Sequence, residues 1–253
     1  MDVAILTVGD ELLSGDTQNT NATWLARQLT HRGAAVRRIL VLPDDETLIA
    51  ETVAEWSDRF DAVIVTGGLG GTHDDVTMDA VAAAFGRDLV VNAEAKQDVL
   101  ETVAAFREAN PGLVETYELE IDADAQASIP ADSRPLLNPA GLSPGCVCEN
   151  VFVLPGIPEE MRAMFDLVTD EFGGDVVSET LYTPAPEGAV RRQLAELNDQ
   201  FDVVVGSYPH KGTEYNRIKV TASDAAVVDE AVAWLDRHVE LVEAESASEE
   251  FEE

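Results

Sequence analysis

Cysteine is nearly absent: Cys146 and Cys148 are the two present. A single residue between them sets them too close for a disulfide that staples a long loop. A disulfide-scaffolded secreted domain is therefore excluded, and the pair reads as small core residues, with a redox or metal role as the alternative. Long apolar runs are also missing. No stretch approaches the ~18 uninterrupted apolar residues of a membrane span, and the chain starts directly with a strand-like run. A cytoplasmic protein with no membrane partner is the expectation. Positive charge is scarce: 16 Lys and Arg face 49 Asp and Glu, for a formal charge of −33. Duplex nucleic acid is then a poor partner, because such a surface repels phosphates.

What is present is an acidic but core-forming chain. Residues of apolar type make up 45% of the 253, enough to exclude a disordered acidic polymer. The glutamate-rich last ten residues do not account for the excess, and lysine occurs only at Lys96, Lys211 and Lys219. Dispersed carboxylates with few lysines suit a protein held soluble in high salt, where self-repulsion is screened. A halophilic cytoplasm is the expected setting.

Hydrophobic periodicity then orders the chain. Val3–Val8 reads as a buried strand, Asn21–Arg32 as a helix stopped by Gly33, and Ala35–Leu42 as the next strand. A helix from Glu46 follows, then the strand Ala62–Thr66, a glycine loop, and a helix carrying Val76, Ala80, Val81 and Ala84. Leu89–Val91 reads as a short strand, 93–109 as a helix, and 110–134 as an acidic lid or irregular helix. Val151–Leu154 is a further buried strand, with a helix after it to Phe172. The alternation predicts an α/β domain over 1–172, a mostly parallel sheet with helices on both faces. Gly173-Gly174 marks a boundary. Beyond it, βαββα order predicts a small ferredoxin-like α+β domain over 175–243, and 244–253 reads as a disordered acidic tail.

The strongest local signal is Thr66-Gly-Gly-Leu-Gly-Gly-Thr-His-Asp-Asp-Val-Thr77. It joins a parallel strand to a helix, where open α/β sheets bind ligands. Gly67, Gly68, Gly70 and Gly71 let backbone N–H groups approach a phosphate. Adjacent carboxylates at Asp74 and Asp75 make sense at an anion site if a divalent cation bridges them to phosphate. The plainer alternative is a capping box with Thr72 as N-cap and Asp75 three residues on. A second cluster, Gly9-Asp-Glu-Leu-Leu-Ser-Gly15 with Asn19-Thr-Asn21, leaves the end of the first strand. Glu11 and Asp10 are candidate metal or water ligands, and Asn19 and Asn21 candidate readers of a ribose or base, or helix caps. Asn138, Gly141 and Gly145 lie in a third cluster, and Pro155 and Gly156 in a fourth; each taken singly also fits plain turn chemistry.

Together these four clusters resemble the amino-terminal domain of the CinA family, within the wider molybdopterin-binding MoaB/Mog superfamily. The resemblance runs in order through residues 1–172, and 176–242 is similar to the small domain that follows in that family. The glycine loop is also similar to that of eukaryotic FAD synthases, where His-Asp-Asp-Val-Thr recurs. The chain departs at Gly71, where the family usually has Pro, and at Asp10, where Thr is common. The resemblance implies a MoaB/Mog-like fold, a homo-oligomer, and a nucleotide or pterin phosphate as small-molecule partner. It implies divalent-metal-dependent (Mg, Mn or Co) hydrolysis of an ADP-ribose- or FAD-type diphosphate, with Asp74, Asp75 and Glu11 catalytic and Asp74 and Asp75 on the metal. Gly67, Gly68, Gly70, Gly71, Thr72, Asn19, Asn21, Asn138, Gly141, Gly145, Pro155 and Gly156 would hold the substrate. Molybdopterin binding or adenylylation, and a non-catalytic nucleotide-binding module, are the alternatives. His73 stands in the loop as a phosphate donor or a solvated side chain. Tyr208–Lys219 reads as a charged hairpin edge or a basic finger.

Overall fold

The computed structural model describes residues 1–116, 121–209 and 215–242. Two units divide the chain, one of residues 1–29 and 34–173, the other of 30–33 and the residues from 174 onward.

The first unit runs β1 (Asp2–Val8), α1 (Asp10–Ser14), α2 (Thr20–His31), β2 (Ala35–Leu42), α3 (Glu46–Ser57), β3 (Ala62–Thr66) and α4 (Thr77–Ala84). It continues through β4 (Leu89–Val91), α5 (Ala93–Ala109), α6 (Pro111–Thr116), α7 (Ala123–Gln126), β5 (Ser128–Pro130), β6 (Arg134–Leu136), β7 (Gly145–Cys148), β8 (Val151–Leu154) and α8 (Pro158–Asp166). Six strands form one sheet in the order β2-β1-β3-β8-β7-β6. The first four pair in parallel, and β7 alone runs the other way, antiparallel to both β8 and β6, so the sheet is mostly parallel as predicted.

β1 and β3 are buried on both sides, which is why they read as unbroken apolar runs. On one face Ile5 and Ile64 meet Leu25 and Leu29 of α2 and Met161 and Phe165 of α8. On the other, Leu6 and Val65 meet Ile49, Val53 and Trp56 of α3 and Val81 of α4. Each such fully buried side chain contributes roughly 1.5–3 kcal/mol. Because α2 and α3 cover opposite faces, β2 and β3 lie on opposite sides of β1. The strand order therefore reverses at β1, and the chain leaves β1 and β3 in diverging directions. That divergence opens a crevice at their carboxyl ends.

Several elements differ from expectation. The described residues of 110–134 hold α6, α7, β5 and the first residue of β6 rather than one lid or irregular helix, and β4 pairs with β5 in a separate two-stranded sheet. Cys146 and Cys148 alternate along β7, so both face the same core, fully buried and unbridged. Burial pushes the Cys146 thiol well above its ordinary range. No helix among the described residues is long and apolar enough to cross a membrane.

The second unit runs β9 (Val177–Thr183), α9 (Glu187–Gln200), β10 (Val204–Tyr208), β11 (Asn216–Ala222) and α10 (Ala225–His238). The sheet order is β10-β11-β9 with antiparallel neighbours, so β9 and β10 run the same way with β11 between them. This is the split βαβ arrangement predicted. Val190, Leu197, Ile218, Trp234 and Leu235 fill its core. The hairpin-edge reading fails for β11, a central strand in which Lys219 stands opposite Gly206 and Thr180. His210, Lys211 and the acidic tail lie outside the described residues.

Candidate functional site

A cavity of about 570 Å³ occupies the crevice at the carboxyl ends of β1, β3 and β8. Its floor is the glycine loop, and three hydrogen bonds explain why the loop has one shape. Gly67 has φ +104°, and a Cβ there would collide with the Val8 carbonyl at the end of β1. Its N–H donates to the Leu154 carbonyl at 3.2 Å, so the loop is seated between β1 and β8. The Thr66 hydroxyl donates to the Pro155 carbonyl at 2.6 Å, and the Thr77 hydroxyl donates to the Gly67 carbonyl at 2.8 Å. Both threonines are buried, as is Thr7, whose hydroxyl accepts from the Asn19 amide at 2.9 Å.

The plainer alternative makes Thr72 the N-cap of the helix after the glycines, but that helix starts at Thr77 and has no side-chain cap. The Thr72–Asp75 pair does form, but it closes a turn. The Thr72 N–H and hydroxyl donate to Asp75 Oδ2 at 2.9 and 2.6 Å, and that carboxylate lies over Gly70. Asp75 therefore braces the loop with one oxygen. Asp74 is exposed, and its carboxyl lies below the usual range, with Thr72 the first cause and neighbouring His73 a lesser one. The single Thr72 hydroxyl proton is committed to Asp75, so the bond to Asp75 is the firmer of the two.

Five carboxylates line the cavity: Glu11, Asp44, Asp74, Asp75 and Glu160. Asp44 follows β2, and its Oδ2 accepts from the Asp10 N–H at 3.0 Å. Burial raises its pKa first of all; the nearby charges of Asp10, Glu11 and Asp74 add to this, against the lowering by the Asp10 bond. Among the described residues no Lys, Arg or His lines the cavity. Among the described residues no group of three or more His, Cys, Asp or Glu is set to hold a metal. The donor set is nevertheless all oxygen, which fits a hard divalent cation. Such an ion characteristically takes one or two carboxylates and completes its shell with water and substrate phosphate.

The other expected residues fall into three groups. Asn19, Asn21, Gly67, Gly68 and Gly70 line the cavity, as do Pro155 and Gly156. Both asparagines also serve the scaffold: Asn19 Oδ1 accepts from the Ala22 N–H as a cap of α2, and the Asn21 amide donates to the Gly156 carbonyl at 2.7 Å. Gly71 and Thr72 line a second cavity, of about 470 Å³, on the far side of the loop. Asn138, Gly141 and Gly145 line neither. Asn138 is buried, and its amide donates to the Ser143 carbonyl and to Glu160 Oε2 at 3.0 and 2.7 Å. Gly141 makes room for the Glu160 carboxylate, and Gly145 belongs to β7, against the Val153 carbonyl. These three position the wall rather than form it.

Sequence reasoning missed Asp44, Glu160 and Gln126. Glu160 stands in the first turn of α8, where an acid reads as a partner of the helix dipole. Gln126 Nε2 donates to the Leu69 carbonyl at 3.0 Å and to Ser143 Oγ at 2.9 Å, fastening the glycine loop to the 138–143 turn.

With this geometry in hand, the chain was compared with known proteins. Residues 4–173 match the family described as probable molybdopterin binding domain, and residues 175–246 match the FAD synthase middle domain. A protein of Archaeoglobus fulgidus is 37% identical over 234 residues, covering 92% of this chain and 95% of its own length. One of Pyrococcus furiosus is 36% identical over 244 residues, covering 93% and 96% respectively. Among solved structures, a CinA protein of unknown function from Thermoplasma acidophilum is 32% identical with a TM-score of 0.59. That match covers 68% of this chain and 99% of the other.

Proposed function

The chain belongs to the probable molybdopterin binding domain family, with a CinA-like, MoaB/Mog-type fold in its first unit, and from that premise we propose that it hydrolyses a nucleotide diphosphate of the ADP-ribose or FAD type with a divalent metal. The observation that carries the reading is the pairing of a glycine loop with a cavity walled by carboxylates and, among the described residues, no cationic side chain. Glycine-loop N–H groups suit phosphate oxygens, but five carboxylates would repel a bare diphosphate unless a cation comes between them. Asp74, with the free oxygen of Asp75, would hold that cation. When bound it would neutralise the diphosphate and polarise phosphorus for attack.

The remaining roles belong to the chain itself. The N–H groups of 68–70 would cradle the phosphates, the Gly67 N–H being committed to the Leu154 carbonyl, and Asn21 and Gly156 border the volume open to a nucleoside. Asp44 is the carboxylate whose affinity for a proton is raised by burial, which suits it to take the proton of the attacking water; Glu11 stands in the same acidic group. Water adds to one phosphorus, the bond from that phosphorus to the bridging oxygen breaks, and two monophosphates leave.

Incubating ADP-ribose, FAD, NAD, CoA and ATP separately with Mg²⁺, Mn²⁺ or Co²⁺ in high potassium tests the reading. AMP release from ADP-ribose or FAD supports it. The family's own description favours a pterin phosphate as the rival ligand, and pterin-dependent ATP consumption would support that instead. Binding without turnover would mean a nucleotide-binding module. Homo-oligomerisation, a cytoplasmic location and adaptation to high salt are part of the same proposal.

A further inference from the structure

β2 closes one end of the six-stranded sheet. β1 lies along one of its edges, and among the described residues no strand pairs with the other. Edge strands are ordinarily blunted against pairing by bulges, prolines or charge. In β2 those devices sit at the ends. The register with β1 skips Arg37, which forms an ion pair with Asp2 at 2.9 Å, and Pro43 follows the last residue. Between them Arg38–Leu42 runs regularly, and its middle is apolar and open, with Ile39 49% and Leu40 37% exposed. Leu13 of α1, which packs against β2, and Leu48 near the start of α3 are exposed as well.

Backbone directions decide what this edge can take. The Leu42 carbonyl accepts from the Gly9 N–H at 3.1 Å and the Leu40 carbonyl from the Thr7 hydroxyl at 3.3 Å, so both turn towards β1. Backbone groups alternate along a strand, which turns the N–H and C=O of Ile39 and Val41 outwards. We propose that β2 pairs antiparallel with β2 of a second copy of this chain, across a two-fold axis at Leu40. Ile39 then exchanges both hydrogen bonds with the partner's Val41, and Leu40 stands opposite the partner's Leu40. Sliding the pair either way sets Val41 against the bulged Arg37, or Ile39 against Pro43, which has no N–H to give. The same alignment makes the charges complementary. Arg38 stands opposite the partner's Leu42, one diagonal step from the partner's Asp44, and diagonal neighbours about 7–8 Å apart lie within reach of a long side chain. Asp44 lines the carboxylate cavity, so each copy lends a guanidinium to the rim of the other's cavity. Such a contact is isologous: basic residues of each copy meet the acid of the other, around a shared apolar centre. The inference rests on the homo-oligomer in the proposal above, to which it gives a face, and is independent of the hydrolytic chemistry.

Analytical ultracentrifugation of the full-length protein in molar KCl reads the mass, expected at twice that of one chain. Leu40→Lys sets like charges opposite each other at the axis and should halve that mass with circular dichroism unchanged. Two cysteine variants read the register. Leu40 and the partner's Leu40 form a non-hydrogen-bonded pair with Cα atoms about 4.5 Å apart, within disulfide range. Leu40→Cys should therefore cross-link on mild oxidation, seen as a doubled mass on a non-reducing gel, whereas Ile39→Cys, whose two copies lie a diagonal step apart, should not. Cys146 and Cys148 are buried and do not compete. Should Leu40→Lys fail to fold, the cysteine variants decide alone. A monomeric wild type overturns the interface and the homo-oligomer together. A dimer that survives Leu40→Lys, or that cross-links no better through Leu40→Cys than through Ile39→Cys, overturns the interface and leaves the homo-oligomer standing.

Discussion

Replacing Thr77 by valine isolates the hydrogen bond that shapes the glycine loop. The Thr77 side chain is fully buried and its hydroxyl donates to the Gly67 carbonyl at 2.8 Å. Valine has nearly the same shape, so no cavity opens, but the Gly67 carbonyl loses its donor inside the protein. A buried acceptor left unpaired costs about 1–3 kcal/mol. A second effect has the same sign: the threonine oxygen packs against Gly68, so that a Cβ there would collide with it, and a methyl in its place is bulkier. An estimate of about 2 kcal/mol corresponds to a fall in melting temperature of roughly 4–8 °C for a unit of this size. Thr77→Ser keeps the hydroxyl and loses only a methyl, which costs about 1 kcal/mol, by analogy with Ile→Val. Denaturant unfolding of the two variants in high salt, followed by fluorescence, makes the comparison. Thr77→Val should be the less stable and should bind a diphosphate ligand more weakly. If Thr77→Val equals wild type in stability, the loop does not depend on this bond and the account of its shape is wrong.

Asp75→Asn retains an acceptor for Thr72, so its stability should change by less than about 1 kcal/mol while turnover falls about 10²-fold; wild-type rates in both Asp75→Asn and Asp74→Asn would make these carboxylates structural. Asp44 has a pKa raised in the folded state, so between the ordinary aspartate value and the raised one the folded protein binds more protons and stability falls as pH rises. Asp44→Asn should therefore stabilise the protein at neutral pH, the gain disappearing as pH drops through the ordinary aspartate range; urea midpoints across pH read this directly, and a loss at pH 7 would contradict it. Carboxylate repulsion at a charge of −33 predicts unfolding on dilution from molar KCl, where the Debye length is ~3 Å, towards 0.05 M, seen by circular dichroism. Full helicity at low salt would refute the halophilic reading. Cys146 and Cys148, buried and with the Cys146 thiol pushed up, should resist iodoacetamide until the protein is denatured, which mass spectrometry can follow.

Legibility followed burial. β1, β3 and β8 are covered on both faces, so their sequences are unbroken apolar runs, and α2 and α3 carry stripes at helical spacing. β6 and β7 stayed hidden because each is only three or four residues long, with Pro135 in one and Gly145 in the other. The capping alternative at Thr72 and Asp75 arises because the pair has the chemistry of a capping box, yet it makes one of the box's two hydrogen bonds and does so without the helix. At the site, the glycines and the Asp74-Asp75 pair stood out because they are contiguous. Asp44 and Glu160 did not: each precedes or opens a helix, where acids are ordinary, and only the sheet brings them to the same cavity. Thr7 and Thr66 offered a usable signal. A hydroxyl at the end of a buried strand needs a partner, and here the partners are site residues or site loops.

Gln126 has a consequence for motion. Its one amide nitrogen reaches both the Leu69 carbonyl and Ser143, so the floor of the cavity and the turn beside it share a single fastening. Leu69 and Ser143 are 74 residues apart in sequence, and among the described residues their loops are otherwise joined only through the sheet. Tied through one side chain, they are expected to move together, so that widening the cavity between them would cost one of that amide's two hydrogen bonds.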